Sequence, residues 1–182
     1  MVWWGVFDSK FIPWSTVKDH YATLVDQNFP ERPYWRDYLT LLGVPLAAGV
    51  YVGLCAKLRD MSSYIAGVAI FTALLFGLVV YVFQLRMALL DNPYVPRDGD
   101  LVQFIDQVFA NVNYAVVVGV VATGLGMTAA VTAGDDGHIS RVWSGVIVAF
   151  GVHLMLVVFM CIKRLRAAYR EISRLPRSTR YE

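Results

Sequence analysis

The sequence is poor in charged residues over most of its length. Asp, Glu, Lys and Arg make up 16% of the 182 residues, against roughly 25% in a typical soluble domain, while 57% are hydrophobic. Four runs contain none of these charged residues: 38–56, 61–85, 107–134 and 142–162. A helix needs roughly 20 apolar residues to cross a bilayer core. The missing charge therefore excludes a soluble globular protein and predicts an all-α integral membrane protein with four transmembrane helices, arranged as two helical hairpins.

Sequence features of catalytic and metal sites are also missing. The two cysteines, Cys55 and Cys161, lie in separate apolar runs and form no C-x-x-C spacing of the kind that indicates a metal site. The chain has no G-x-S-x-G motif, and the carboxylates between 91 and 106 match no calcium or magnesium motif. We therefore predict that the protein is not an enzyme and holds no metal and no cofactor.

Basic residues are unevenly distributed around the four runs. If the N-terminus is cytoplasmic, thirteen of the sixteen Lys and Arg residues lie on the inner side, and the outer loops keep Lys57, Arg59 and Arg141. The positive-inside rule then predicts that both termini are cytoplasmic, and we expect a bacterial inner membrane. His20 and His138 fall on opposite sides of it, which argues against haem held by two histidines.

The first 37 residues are rich in Trp, Tyr and Phe, which favour the membrane–water interface. An amphipathic helix is predicted from Ser15 or Thr16 to about Phe29, with Val17 and Tyr21 on its apolar face. We expect residues 1–37 to form a cytoplasmic or interfacial segment. Its helix either lies on the bilayer or offers a docking face to a partner.

The remaining chain divides into a transmembrane domain at 38–175 and a basic cytoplasmic tail at 163–182. The helices of the second, third and fourth runs are expected to continue into the cytoplasm, the fourth as far as about Leu175, where Pro176 stops it. Asp100 is a plausible N-cap for a third helix that starts at Leu101.

Small residues recur at four-residue intervals in all four runs, a spacing that lets helix backbones approach closely. The predicted helix-packing residues are Gly49, Gly53, Ala69, Ala73, Gly77, Gly119, Thr123, Ala122, Gly126, Ala130, Gly145 and Ala149. The third run carries two such stripes, so it is expected to be the most enclosed. Pro45 is expected to kink the first helix, because proline donates no backbone hydrogen bond.

One histidine lies near the middle of a predicted span. His153 falls at about the depth of Thr72 and Thr123, so these three polar residues are candidates for a hydrogen-bonded set at the midplane. One interpretation is a proton or ion relay, or a gate. The other is a neutral histidine whose ring is satisfied by a threonine or by a backbone carbonyl, because no charged residue accompanies it within the spans.

The chain ends in a strongly basic segment directly after the fourth run. Its predicted contacts with anionic lipid headgroups are Lys163, Arg164, Arg166, Arg170 and Arg174. Pairing with the acidic 86–107 segment is an alternative. Nucleic acid is not expected as a partner, because no aromatic stacking platform is interleaved with the charges.

Two functions are compatible with these features. The first is a non-enzymatic membrane subunit or scaffold that packs with itself or with other membrane proteins in a larger complex. The alternative is a small homo-oligomeric ion channel or membrane-permeabilising effector. A scaffold should bury its small-residue stripes against other helices, whereas a channel should present a polar or small-residue stripe to a central axis.

Overall fold

A computed structural model describes residues 13–24, 35–91, 99–134 and 137–174. The secondary-structure elements in these ranges are α1 (Trp14–Ala22), α2 (Trp35–Tyr38), a π-helical turn (Leu39–Gly43), α3 (Val44–Cys55), α4 (Ser62–Leu90), α5 (Asp100–Val131) and α6 (Arg141–Arg174). Four helical segments are long and apolar enough to cross a membrane: Arg36–Cys55, Ser62–Leu90, Leu101–Val131 and Arg141–Ala167. The predictions of an all-helical chain and of an integral, multi-pass membrane protein are thereby confirmed.

The four long helices pack in an order that differs from their order in the chain. Helices α5 and α6 lie against each other, α4 packs on α5, and α3 packs on α6. The first span therefore finds its main neighbour in the last one. At one end of the molecule, the backbone of Arg59 pairs with that of His138, and the Ile139 amide donates to the Leu58 carbonyl at 3.1 Å. The two loops at this end are thereby joined.

Glycines permit the closest helix contacts. A Cβ atom added to Gly145 would lie 2.6 Å from the carbonyl oxygen of Gly49, and one added to Gly49 would lie 2.8 Å from the Cβ of Ala149. Gly119 on α5 faces the side chain of Thr72 on α4 with no room for a methyl group. At these positions the small side chain is required because another helix occupies the space.

Other predicted packing residues face away from the chain's own helices. Ala69, Ala73 and Gly77 are exposed on α4, and a Cβ at Gly77 would meet nothing within 4 Å. Ala130 is exposed as well. Helix α5 is the most enclosed span: 39% of its most apolar window is buried, against 17% in α4. Helix α5 thus buries Gly119, Ala122 and Gly126 within the chain, whereas α4 leaves its stripe open.

Helix α1 is shorter than predicted. It begins at Trp14, directly after Pro13, and ends at Ala22 instead of near Phe29. The Thr23 and Leu24 amides donate to the His20 and Tyr21 carbonyls, so the last turn tightens and the helix ends. The apolar face of α1, with Val17 and Tyr21, packs on α5, and these two side chains are partly buried there. Residues 25–34 lie outside the described ranges.

Candidate functional site

Buried and half-buried polar side chains meet where α1 packs against α5 and α6. They are His20 and Thr23 near the end of α1, Gln107, Asn111 and Tyr114 on α5, and His153 and Arg164 on α6. The three α5 residues are spaced four and three apart, which places them on one side of the helix. We call this set the polar hub.

His20 is the innermost member of the polar hub. Its ring is fully buried and stacks on the ring of Tyr114, with centroids 3.9 Å apart and planes inclined by 10°. The Asn111 amide nitrogen donates to the Gln107 carbonyl at 2.6 Å, which turns the Asn111 oxygen toward His20. That oxygen lies 2.7 Å from His20 Nδ1, so Nδ1 carries the hydrogen.

The other nitrogen of His20 has no bond to offset its burial. Nε2 is buried without a hydrogen-bond partner among the described residues. Burial lowers the pKa of His20 from 6.5 to about 4; the hydrogen bond with Asn111 opposes this shift, and the nearby His153 and Arg164 reinforce it. The ring is therefore neutral at neutral pH, and a proton on Nε2 would lack an acceptor.

His153 joins three separate helical segments. Its Nε2 lies 2.8 Å from the Tyr114 hydroxyl and its Nδ1 lies 2.9 Å from the Leu41 carbonyl oxygen. Because a carbonyl only accepts, Nδ1 donates to Leu41, and Nε2 of the neutral ring accepts the hydrogen of Tyr114. In a regular α-helix the Leu41 carbonyl would accept from the amide of residue 45, which is a proline. His153 thus donates a hydrogen bond to the carbonyl to which Pro45, lacking an N–H, cannot donate.

Thr72 and Thr123 do not join His153. The Thr72 hydroxyl donates to the Val68 carbonyl at 2.7 Å, and the Thr123 hydroxyl donates to the Gly119 carbonyl at 2.8 Å. Both bonds stay within the threonine's own helix, the usual arrangement for a threonine in an apolar helix. The predicted hydrogen-bonded set of three residues is therefore absent, because His153 is already bound to Tyr114 and to Leu41.

Arg164 points into the protein, where the sequence analysis expected contact with lipid headgroups. One guanidinium nitrogen donates to Gln107 Oε1 at 2.8 Å and another donates to the Thr23 carbonyl at 2.6 Å. Along α6 it continues the packed side formed by His153, Val157 and Cys161. Its charge therefore holds α1 against α5 and α6. The other basic residues differ: Lys163, Arg166 and Arg170 are exposed, and the side chain of Arg174 lies outside the described part of the structure.

Of the polar hub, only His153 and Arg164 were predicted as site residues from the sequence. The other five members, His20, Thr23, Gln107, Asn111 and Tyr114, were missed, as was the Leu41 carbonyl that His153 binds. Some signals for them exist in the sequence. Asn111 and Tyr114 are polar, lie three residues apart inside an uncharged run, and therefore share a face. Pro45 implies an unserved carbonyl four residues earlier. Nothing in the local sequence pairs either feature with His20 or His153, since these partners come from distant segments.

An apolar cavity of about 270 Å³ adjoins the polar hub. It lies between the π-helical turn and α3 on one side and α5 and α6 on the other. Its lining residues are Leu42, Pro45, Leu46, Tyr114, Val118, Ala149, Phe150 and His153. Tyr114 and His153 contribute the only polar side chains of this lining.

A second polar contact joins α4 to α5 outside the polar hub. Arg86 binds Asp106 through two parallel bonds, with Nε 2.6 Å from Oδ1 and Nη2 3.2 Å from Oδ2. Asp106 is half-exposed, so this ion pair contributes at most about 1 kcal/mol. Within the described ranges, no three His, Cys, Asp or Glu side chains come together as a metal site would need.

Comparison of the chain with protein-family models, with curated proteins and with solved structures finds no match. The function is therefore argued from the geometry alone.

Proposed function

We propose that the protein is a non-enzymatic, multi-pass membrane subunit that packs through the outward side of α4 against a membrane helix of a second copy or of a partner. The observation that carries this proposal is the open stripe of Ala69, Ala73 and Gly77. Helix α4 turns Thr72, Leu75 and Val82 toward the chain, and the stripe lies on the opposite side.

Apolar side chains gain little by leaving lipid tails for another apolar surface, so association depends on close packing. Ala and Gly at four-residue intervals leave a shallow groove, and exposed large residues such as Ile70 and Phe76 stand beside it. A second helix seated there would make dispersion contacts that flexible lipid tails make less well.

The polar hub supports a structural role over a catalytic one. Tyr114, His153, Asn111 and Arg164 each bind another group of the same chain, so these side chains hold α1, the first span, α5 and α6 together. In our proposal both termini are cytoplasmic, the membrane is a bacterial inner membrane, and the exposed Lys163 rests near anionic headgroups.

The proposal is tested by the mass of the assembly in mild detergent. We expect wild-type protein to purify as a complex larger than one chain, and Gly77→Leu to weaken that complex. Gly67→Leu is the matched control: its Cβ also meets nothing within 4 Å, but it lies off the stripe. Native mass spectrometry of the three proteins gives the composition. A wild-type chain that purifies alone, or equal complexes for all three, would contradict the proposal.

The alternative of a homo-oligomeric channel makes a different prediction for the same material. Reconstituted in planar bilayers, a channel conducts, whereas a packing subunit stays silent across voltage and pH. Reproducible single-channel steps that disappear in Gly77→Leu would show that the protein is a channel that assembles through the same α4 contact, and not a scaffold.

A further inference from the structure

We propose that the apolar cavity beside Tyr114 and His153 binds a lipid-soluble molecule that carries a hydroxyl group on an apolar ring or chain. The hydroxyl would donate a hydrogen bond to the oxygen of Tyr114. This site is separate from the α4 stripe, so the proposal of a ligand site does not depend on the proposed assembly.

The position of the cavity selects the kind of molecule that can enter. Leu42 and Leu46 form its outer edge, and both side chains are exposed in the first membrane-spanning segment. In a bilayer this edge faces hydrocarbon rather than water. An occupant must therefore arrive from the lipid phase, and a charged or strongly hydrated molecule would lose too much solvation to do so.

The backbone keeps this space open. The π-helical turn Leu39–Gly43 is wider than an α-helix, and Pro45, whose ring lies in the cavity wall, follows two residues later. His153 donates to the Leu41 carbonyl within the same turn, which fixes the orientation of the imidazole at the cavity floor. One hydrogen bond thus joins the polar side of the cavity to the irregular backbone beside it.

The hydrogen bonds at the floor determine which polar group fits. His153 uses Nδ1 as a donor and Nε2 as an acceptor, so the neutral ring has nothing left to offer. Tyr114 gives its single hydrogen to Nε2. The Tyr21 hydroxyl also interacts with the Tyr114 hydroxyl, and of the two lone pairs on the Tyr114 oxygen one remains as an acceptor. Both side chains are more than nine-tenths buried. The Tyr114 oxygen can therefore accept a hydrogen bond from a ligand. A hydroxyl can donate such a bond, whereas a carbonyl or an ether cannot.

The volume limits how much of the molecule is held. At about 270 Å³ the cavity lies near the lower end of typical ligand pockets, which span roughly 300–1,000 Å³. It therefore accepts one ring or a short chain segment, and the rest of the molecule stays in the bilayer. Quinols, sterol-like alcohols and long-chain alcohols share this chemistry.

The experiment compares probes that differ in hydrogen-bonding capacity. Protein in nanodiscs is titrated with an alkyl hydroquinone, the matching alkyl quinone, a long-chain alcohol and an alkylbenzene, and binding is measured as the rise in Tm with concentration. We expect the two hydroxyl probes to bind roughly tenfold more tightly than the quinone and the alkylbenzene, the gain from one net hydrogen bond. A hydroquinone that binds when the alcohol does not assigns the site to quinols, and the reverse assigns it to aliphatic alcohols.

Variants show whether the cavity is responsible. Leu46→Trp should fill the entrance and abolish the rise in Tm, whereas Leu54→Trp, at an exposed position of α3 outside the cavity lining, should retain it. Equal affinity for all four probes, no binding at all, or full binding by Leu46→Trp would each overturn the proposal.

Discussion

The buried, neutral His20 makes the docking of α1 dependent on pH. In the docked state the pKa of His20 is about 4, because burial penalises the charged ring; an undocked α1 would restore the ordinary value of 6.5. Between these two values the undocked state binds more protons, so docking weakens as the pH falls from about 6.5 to about 4 and is at full strength above that range.

The size of the effect follows from the shift in pKa. At about 1.4 kcal/mol per pKa unit, the difference between 6.5 and about 4 amounts to about 3 kcal/mol of docking free energy. Lowering the pH from 7.5 to 4.5 should therefore weaken docking by a factor on the order of 50 to 100. The structural reason is the burial of the ring, whose Nε2 has no hydrogen-bond partner among the described residues, and the nearby His153 and Arg164 add to the effect.

Hydrogen exchange of the α1 amides, followed by mass spectrometry and corrected for the intrinsic effect of pH, measures this directly. Asp19 on the exposed side of α1 and Asp106 on α5 lie nearby, so a variant is needed to isolate the contribution of His20. His20→Gln serves as the control, because glutamine keeps a donor for Asn111 and does not titrate. We expect its protection to vary far less with pH. Identical pH profiles for the wild type and His20→Gln would refute the reasoning.

Two further predictions concern stability and attachment. Gly145→Ala should lower the free energy of unfolding in mild detergent by about 1–3 kcal/mol, because its Cβ would lie 2.6 Å from the Gly49 carbonyl oxygen. Gly67→Ala, which meets nothing within 4 Å, should change it little, and equal losses would contradict the α3–α6 contact. Arg164→Gln should speed proteolysis of α1 by losing the bond to the Thr23 carbonyl, whereas the exposed Arg166→Gln should not. Equal cleavage of both variants would show that Arg164 does not hold α1.

The tests of the α4 stripe and of the cavity complement these predictions. Gly77→Leu acts on the outer surface of α4, whereas Leu46→Trp acts at the edge of a cavity bordered by the first span, α5 and α6. Either result stands without the other. Loss of assembly in Gly77→Leu with normal binding of hydroxyl probes would separate the packing role from the ligand site.

The sequence by itself was enough to predict that the four long helices lie in lipid and not in water. Runs without charge are costly to expose to water and inexpensive to place in lipid, so four spans could be predicted without knowledge of any contact. The same local reasoning predicted that α5 is the most enclosed helix, since small residues on two of its sides imply neighbours on both. Hydropathy and periodicity depend only on the residues of one segment, so they do not change with the fold that the chain adopts.

The tertiary structure alone decided which polar residues meet. His153 and Thr72 were predicted to share a depth, yet one binds Tyr114 and the Leu41 carbonyl while the other binds its own helix. Arg164 follows an apolar run, as a lipid-binding residue would, yet it bonds inward to Thr23. Such pairings depend on helix rotation and on neighbours far away in the chain. The lack of charge set the environment of the four helices, whereas packing between distant segments set their few polar contacts.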